Sequence, residues 1–203
     1  MAQKIARIDV DTQHGFCHPD GGLYVRGAEA ILPLVAQLNA QAQERGYALL
    51  GSVDSHESYS PEFKENGGVW PVHCVKGTWD WLKVAQTLPK RFFVAAAARY
   101  QRPFERDDVA VYFEKDLYSL FDNLNADPLI RRLGEQGVAF QVYGVATDYC
   151  VKAAALGVRE RCPTSRIQLV TDAIAAVTRE GGEQALAEMK ARGIELVRAS
   201  DVL

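Results

Sequence analysis

The chain has 203 residues, 48% of them hydrophobic and 24% charged, with a formal net charge of −3 and a sequence pI of about 5.8. That length and balance suit one globular domain, residues 1–203, able to bury a full core, and the slight excess of acid argues against a basic nucleic-acid footprint or a polybasic membrane patch. No apolar run approaches the roughly 20 residues that cross a bilayer, and MAQKIARIDV lacks the apolar stretch and cleavage site of a secretory signal; with Cys17, Cys74, Cys150 and Cys162 never at CxxC spacing, reduced thiols and a cytoplasmic location are expected.

Residues 4–10 (KIARIDV) are predicted as a strand. Residues 28–45 follow as a helix with Ile31, Val35, Leu38 and Ala42 on one face, closed by Gly46. YALLGSVD (47–54) reads as a second strand, and 55–77 as a long loop of the kind that usually carries function. A short helix is expected over 78–88, while 91–97 fits a strand or a helix equally. VAVYFEK (109–115) is strand-like, and Asp127-Pro128 reads as an N-cap and first turn of a helix reaching about Gln136. VAFQVYGV (138–145) is almost continuously apolar, as in a strand buried on both faces of a parallel sheet. A helix from about Asp148 to Glu160, a strand at 166–172, a helix near 181–192 and a strand at 194–199 complete the series. Strands alternating with helices predict a three-layer α/β/α domain around a mainly parallel sheet.

Ligands of such sheets bind beyond the carboxyl ends of the strands, and the residues there are chemically dense. Asp11 follows the first strand, Asp54 and His56 end the second, Lys115 ends the strand at 109–115, and Cys150 lies a short turn after 138–145. A thiol at a helix start feels the positive end of the dipole, which lowers its pKa; Lys115 adds a positive charge, and Asp11 is placed to take and return a proton. The pattern alone fits a buried packing thiol at Cys150 equally well. Asp54 and His56, two apart in extended chain, point the same way, and with His73 would suit Zn²⁺, Fe²⁺ or Mn²⁺; a hydrogen-bonded Asp/His pair is the simpler alternative. His14 and His18 read as solvated loop histidines, and Cys17, Cys74 and Cys162 as packing or exposed thiols.

Taken together, DTQHGF (11–16), DSH (54–56), GGVWPVHC (67–74), EKDLYSLF (114–121) and GVATDYCV (144–151) resemble, in order, the motifs of the nicotinamidase/pyrazinamidase branch of the isochorismatase-like cysteine hydrolases. The resemblance implies an Asp11/Lys115/Cys150 triad, one divalent ion, zinc by first expectation, on Asp54, His56 and His73, and hydrolysis of nicotinamide through a thioester in NAD salvage. Hydrolysis of another small amide is the alternative. It further implies a substrate pocket in which Phe16 and Trp70 sandwich the ring, Tyr149 lies alongside, and a cis Val145–Ala146 peptide aims the amides of Ala146 and Cys150 at the oxyanion. The partner implied is a small-molecule amide, with no nucleic acid or membrane, and a homo-oligomer is compatible with it. Departures from the family pattern are Ser55 and Glu57 for its usual tryptophan and proline, Gly15 for aspartate, Leu120 for glycine, a longer stretch around 91–108, and Ser60 where a further histidine often stands. Ser60, Glu65 or water are the candidates for the remaining metal position.

Overall fold

The structure, a computed structural model, describes residues 4–97 and 109–203. Seven strands form one sheet in the order β3-β4-β2-β1-β5-β6-β7, and every pair in it is parallel. They are β1 (Ile5–Val10), β2 (Ala48–Asp54), β3 (Phe92–Ala95), β4 (Ala110–Lys115), β5 (Ala139–Val145), β6 (Ile167–Ala175) and β7 (Glu195–Val197). The helices are α1 (His14–Cys17), α2 (Ala28–Arg45), α3 (Ala126–Glu135), α4 (Lys152–Arg161) and α5 (Arg179–Ala191). This is the α/β architecture that the strand–helix alternation predicts. Among the described residues no helix is long and apolar enough to cross a membrane.

The two faces of the sheet are chemically different. On one, Ala6, Ile8 and Val10 of β1 join Phe140 and Val142 of β5 and Ile130, Ala154 and Val158 of the covering helices in an apolar core. On the other, beneath α2, the alternate residues of β1 are Arg7 and Asp9, both fully buried. Arg7 donates to Gln141 Oε1 (2.9 Å), to Gln41 Oε1 (2.6 Å) and to the carbonyls of Leu38 and Val202. These bonds use four of its five N–H donors, which meets most of the condition for keeping a guanidinium out of water. All seven residues of β5 are buried, as its continuous apolar sequence requires.

Several local expectations are corrected. Residues 78–88 form turns and a single 3-10 turn at Ala85–Thr87 rather than a helix, because their backbone is spent on the loop after β1: Val84 N–H donates to Thr12, and His14 N–H to Leu82. The segment at 91–97 resolves as strand β3. Asp127 does not cap α3, which begins at Ala126; its carboxylate accepts from Arg131 (2.7 Å) and Arg161 (2.5 Å) instead. The helix placed from Asp148 opens as a π-turn, Thr147–Val151, before α4. Leu120 sits in the main core. Of the extended stretch around 91–108, residues 98–108 lie outside the described residues.

Gly144 shows how closely the chain is drawn together at the functional edge. It pairs with Val10 in the β1–β5 register, has φ 116°, and an added Cβ would lie 2.1 Å from the Val10 carbonyl oxygen. Gly144→Ala is therefore expected to cost about 3 kcal/mol or more, since both the backbone angle and the space forbid it. Urea unfolding would measure the loss; a variant within 1 kcal/mol of wild type, roughly the scatter of ordinary surface changes, would contradict it.

Candidate active site

Four strands deliver the reactive groups to one edge. Asp54 and Lys115 are register partners at the ends of β2 and β4, and Lys115 Nζ reaches Asp54 Oδ1 at 2.8 Å. The same ammonium lies 2.9 Å from Asp11 Oδ2 and 3.5 Å from Cys150 Sγ. Asp11, Lys115 and Cys150 are all buried. Asp11 adopts φ 46°, a left-handed conformation that a non-glycine residue keeps only where its surroundings fix it. One such constraint is Gln13, whose side chain both donates to and accepts from the Asp54 main chain (2.8 and 2.7 Å) and donates to Trp81 O (2.8 Å). Among the described residues no backbone amide or hydroxyl donates to either oxygen of Asp11, which faces the Lys115 ammonium.

The charges in this nest are set by opposing forces. Burial works against the Lys115 ammonium, but Asp11 and Asp54 outweigh it and hold the group well above its ordinary range. Asp54 is likewise penalised by burial, and Lys115, then His56 and His73, bring it well below the usual carboxylate range. Cys150 behaves differently from the helix-dipole expectation: burial pushes its thiol well up, Lys115 opposes this, and the negative charges of Asp11 and Asp54 add to the rise. The arrangement sets a thiol beside the Asp11 side chain, a group placed to take the proton as the sulfur attacks.

On the far side of Asp54 lies a cluster with metal-ligand composition, Asp54, His56 and His73. Asp54 Oδ2 is 2.9 Å from His56 Nε2 and 3.3 Å from His73 Nε2. His73 crosses the long loop because His56 and Val75 pair as a short parallel bridge, with His56 N–H donating to Cys74 O and Lys76 N–H to His56 O. Phe63, fully buried, packs edge-on against both imidazoles, at 5.3 and 5.5 Å between ring centroids. Nδ1 of His73 lies 2.8 Å from the Pro71 carbonyl; a carbonyl only accepts, so Nδ1 carries a hydrogen and Nε2 is the nitrogen that faces the carboxylates.

The further carboxylate facing these rings is that of Glu62, not Glu65. Glu62 Oε1 is 3.3 Å from Nε2 of both His56 and His73. Burial pushes its carboxyl up against the pull of His56, and the charge of Asp54 adds to the rise. Glu65 is exposed on the 3-10 turn Lys64–Asn66, and Ser60 Oγ lies 3.5 Å from His56 Nδ1, the nitrogen opposite the cluster. Glu62 was not singled out in the sequence, where PEFKE offers two glutamates and only the turn decides which faces inward. The donor set fits a divalent ion: four-coordinate bonds of about 2.0–2.1 Å place ligand atoms about 3.3–3.4 Å apart, close to the separations found here. Lone pairs and carboxylates at this range repel one another unless a cation or proton lies between them.

Both groups open into one mostly apolar cavity, which Cys150, Asp54, Glu62 and His73 share with Phe16, Trp70, Ala146 and Tyr149. Phe16 packs on His73 (5.6 Å) and Trp70 on Tyr149 (5.3 Å). The Val145–Ala146 peptide is cis, while the Val145 side chain lies in the core beneath α2 and does not line the cavity. Leu23, Val25, Leu117, Tyr118 and Val177 also line it and escaped the sequence reading, being ordinary apolar residues on separate loops. Tyr118 closes the roof by accepting from the Trp70 indole at 3.0 Å. Ser55 accepts from the Trp81 indole at 2.6 Å. His18 is exposed, whereas His14 is half-buried and stacks on Trp79 at 4.5 Å. All four cysteines are free and buried, which leaves packing as the role of Cys17, Cys74 and Cys162.

The chain is 28% identical over 223 residues to a nicotinamidase of Acinetobacter baylyi, covering 100% of this chain and 96% of that one. The pyrazinamidase of Pyrococcus horikoshii, solved in complex with zinc, superposes with a TM-score of 0.77 at 31% identity, covering 96% of this chain and 99% of that one. An L. infantum protein solved in complex with nicotinate has a TM-score of 0.77 at 25% identity, covering 98% and 94%. The Isochorismatase domain model matches residues 6–201, and with nearly the whole chain inside that match, the protein belongs to the isochorismatase-domain family.

Proposed function

We propose that the protein hydrolyses nicotinamide to nicotinate and ammonia through a thioester on Cys150, as an enzyme of pyridine-nucleotide salvage. The observation that carries this reading is the shared ammonium: Lys115 touches Asp11, Asp54 and Cys150, so one buried cation joins nucleophile, base and metal-ligand cluster. The nicotinamidase and pyrazinamidase relatives support the choice of a carboxamide. In this reading the pyridine ring lies between Phe16 and Trp70, which line the cavity together with Tyr149 and Tyr118.

Asp11 takes the thiol proton as Cys150 Sγ bonds to the carboxamide carbon, and the carbonyl oxygen becomes an oxyanion. When that oxygen re-forms its double bond the C–N bond breaks, and Asp11 returns the proton to the departing nitrogen, which leaves as ammonia. Asp11 then takes a proton from water as the water oxygen attacks the thioester; the C–S bond breaks, Asp11 returns that proton to the sulfur, and the acid formed loses its remaining proton to solvent and leaves as nicotinate. Lys115 balances negative charge as it passes between carboxylate and sulfur. A divalent ion, with zinc the first expectation, would be held by Asp54, His56, His73 and Glu62, and would fix the substrate through its ring nitrogen.

Ammonia release from nicotinamide by the metal-replete protein tests the reading directly, and an intact substrate would end it. A strong chelator is expected to abolish the activity and added Zn²⁺, Mn²⁺ or Fe²⁺ to restore it. Glu62→Gln is expected to weaken metal binding by about 10- to 100-fold, read by competition with a chromogenic chelator; unchanged affinity would remove Glu62 from the ligand set.

A further inference from the structure

A second buried ion pair lies beneath α2 and takes no part in the chemistry above. Asp9 Oδ2 stands 3.3 Å from Lys83 Nζ, and both residues are buried. Asn39 donates to the same oxygen at 2.9 Å, and the Tyr112 hydroxyl to it at 3.4 Å. The ammonium lies 4.5 Å from the centre of the Tyr112 ring. Room for that ring comes from Gly51, where a Cβ would meet it at 2.5 Å.

The two charges hold one hydroxyl from both sides. Thr12 Oγ1 donates to Asp9 Oδ1 at 2.8 Å and accepts from Lys83 Nζ at 2.8 Å, while its carbonyl accepts from Val84 N–H at 2.9 Å. Thr12 is the residue after Asp11, whose left-handed backbone needs flanking restraint. Gln13 supplies that restraint from β2, and Thr12 supplies it from the opposite face of the sheet. Stability alone is a poor reason for the pair, because desolvation consumes most of the attraction between buried charges and apolar replacements often serve as well. An apolar pair would have no grip on the hydroxyl.

We propose that the Asp9–Lys83 pair is a positioning device for the catalytic carboxylate: acting through Thr12, it fixes the turn that holds Asp11 against the Cys150 sulfur. This rests on the amidase reading of the site. Thr12→Val keeps the shape and leaves the ion pair in place, while Asp9→Asn/Lys83→Met removes the charges. In the metal-loaded enzyme, each is expected to lower kcat for nicotinamide by about 10- to 100-fold, with KM and bound metal within about two-fold of wild type. The triple variant is expected to lose no more than either parent, since all act through one link. Alkylation of Cys150 by iodoacetamide, which depends on delivery of the thiol proton to Asp11, should slow in parallel.

Wild-type kcat in Thr12→Val, or losses that add in the triple variant, would overturn the proposal. If the double variant does not fold, Thr12→Val decides alone. A wild type that alkylates at Cys150 yet releases no ammonia would refute the amidase reading, and the alkylation rates of the variants would still judge the positioning role.

Discussion

Cys150→Ala is expected to lower kcat for ammonia release by about 10⁴-fold or more, with the fold and the bound metal intact. The sulfur is a nucleophilic atom at the cavity and within reach of Lys115 (3.5 Å), and nucleophile deletions of this kind leave only binding and electrostatic stabilisation behind. The side chain is small and joins the main core by its edge, so truncation to alanine costs little volume and the loss can be assigned to chemistry. Cys150→Ser separates two mechanisms. If the sulfur attacks, serine is a poor substitute, because Asp11 must then ionise a far weaker acid. If water were the attacking group and Cys150 only packed, serine would keep most of the activity and iodoacetamide would not inhibit. Retained turnover in the serine variant would remove the thioester from the mechanism.

Lys115→Met is expected to damage stability and catalysis together. Its ammonium touches two buried carboxylates, Asp11 at 2.9 Å and Asp54 at 2.8 Å, and methionine keeps the length of the side chain while removing the charge. Breaking a buried ion pair on one side typically costs about 3–5 kcal/mol, and here two anions are left. Denaturant unfolding should show a loss of that order, and kcat should fall by about 10³-fold or more in whatever fraction remains folded. A Lys115→Met enzyme with wild-type stability would mean that the two carboxylates are balanced from elsewhere, and the charge scheme of the site would have to be rebuilt. Combining it with Asp11→Asn should return part of the lost stability but none of the activity.

Much of this was legible in the chain before any coordinates. Alternating strands and helices gave the α/β class, and the apolar run 138–145 marked a strand with both faces covered. Asp11, Asp54, His56, Lys115 and Cys150 were locatable because each follows a strand closely, so the sheet edge gathers them whatever the loops do. His73 was a candidate third ligand by residue type, but 17 positions beyond His56 in a loop it had no period to place it, and the motif resemblance is what implied its role. The features that escaped are tertiary. Residues 78–88 have helical spacing, yet Val84 and Leu82 bond to the loop after β1, and those partners lie some 70 residues away. Glu62 and Glu65 are equivalent until Phe63 is buried and the turn at Lys64–Asn66 carries Glu65 outward. The helix-end argument for a low Cys150 pKa was sound locally and was overruled by burial, which no local pattern reports.

The edge built by β1, β2, β4 and β5 also governs what a fragment of this protein can do. Cutting the chain anywhere between His73 and β5 leaves an N-terminal piece with the base and metal ligands but no nucleophile, and a C-terminal piece with the nucleophile and nothing to receive its proton. Turnover is thus a property of the intact cooperative unit. Limited proteolysis should extinguish activity at the first interior nick that separates the pieces, and mixing purified halves should revive it only if β5 can pair with β1 again.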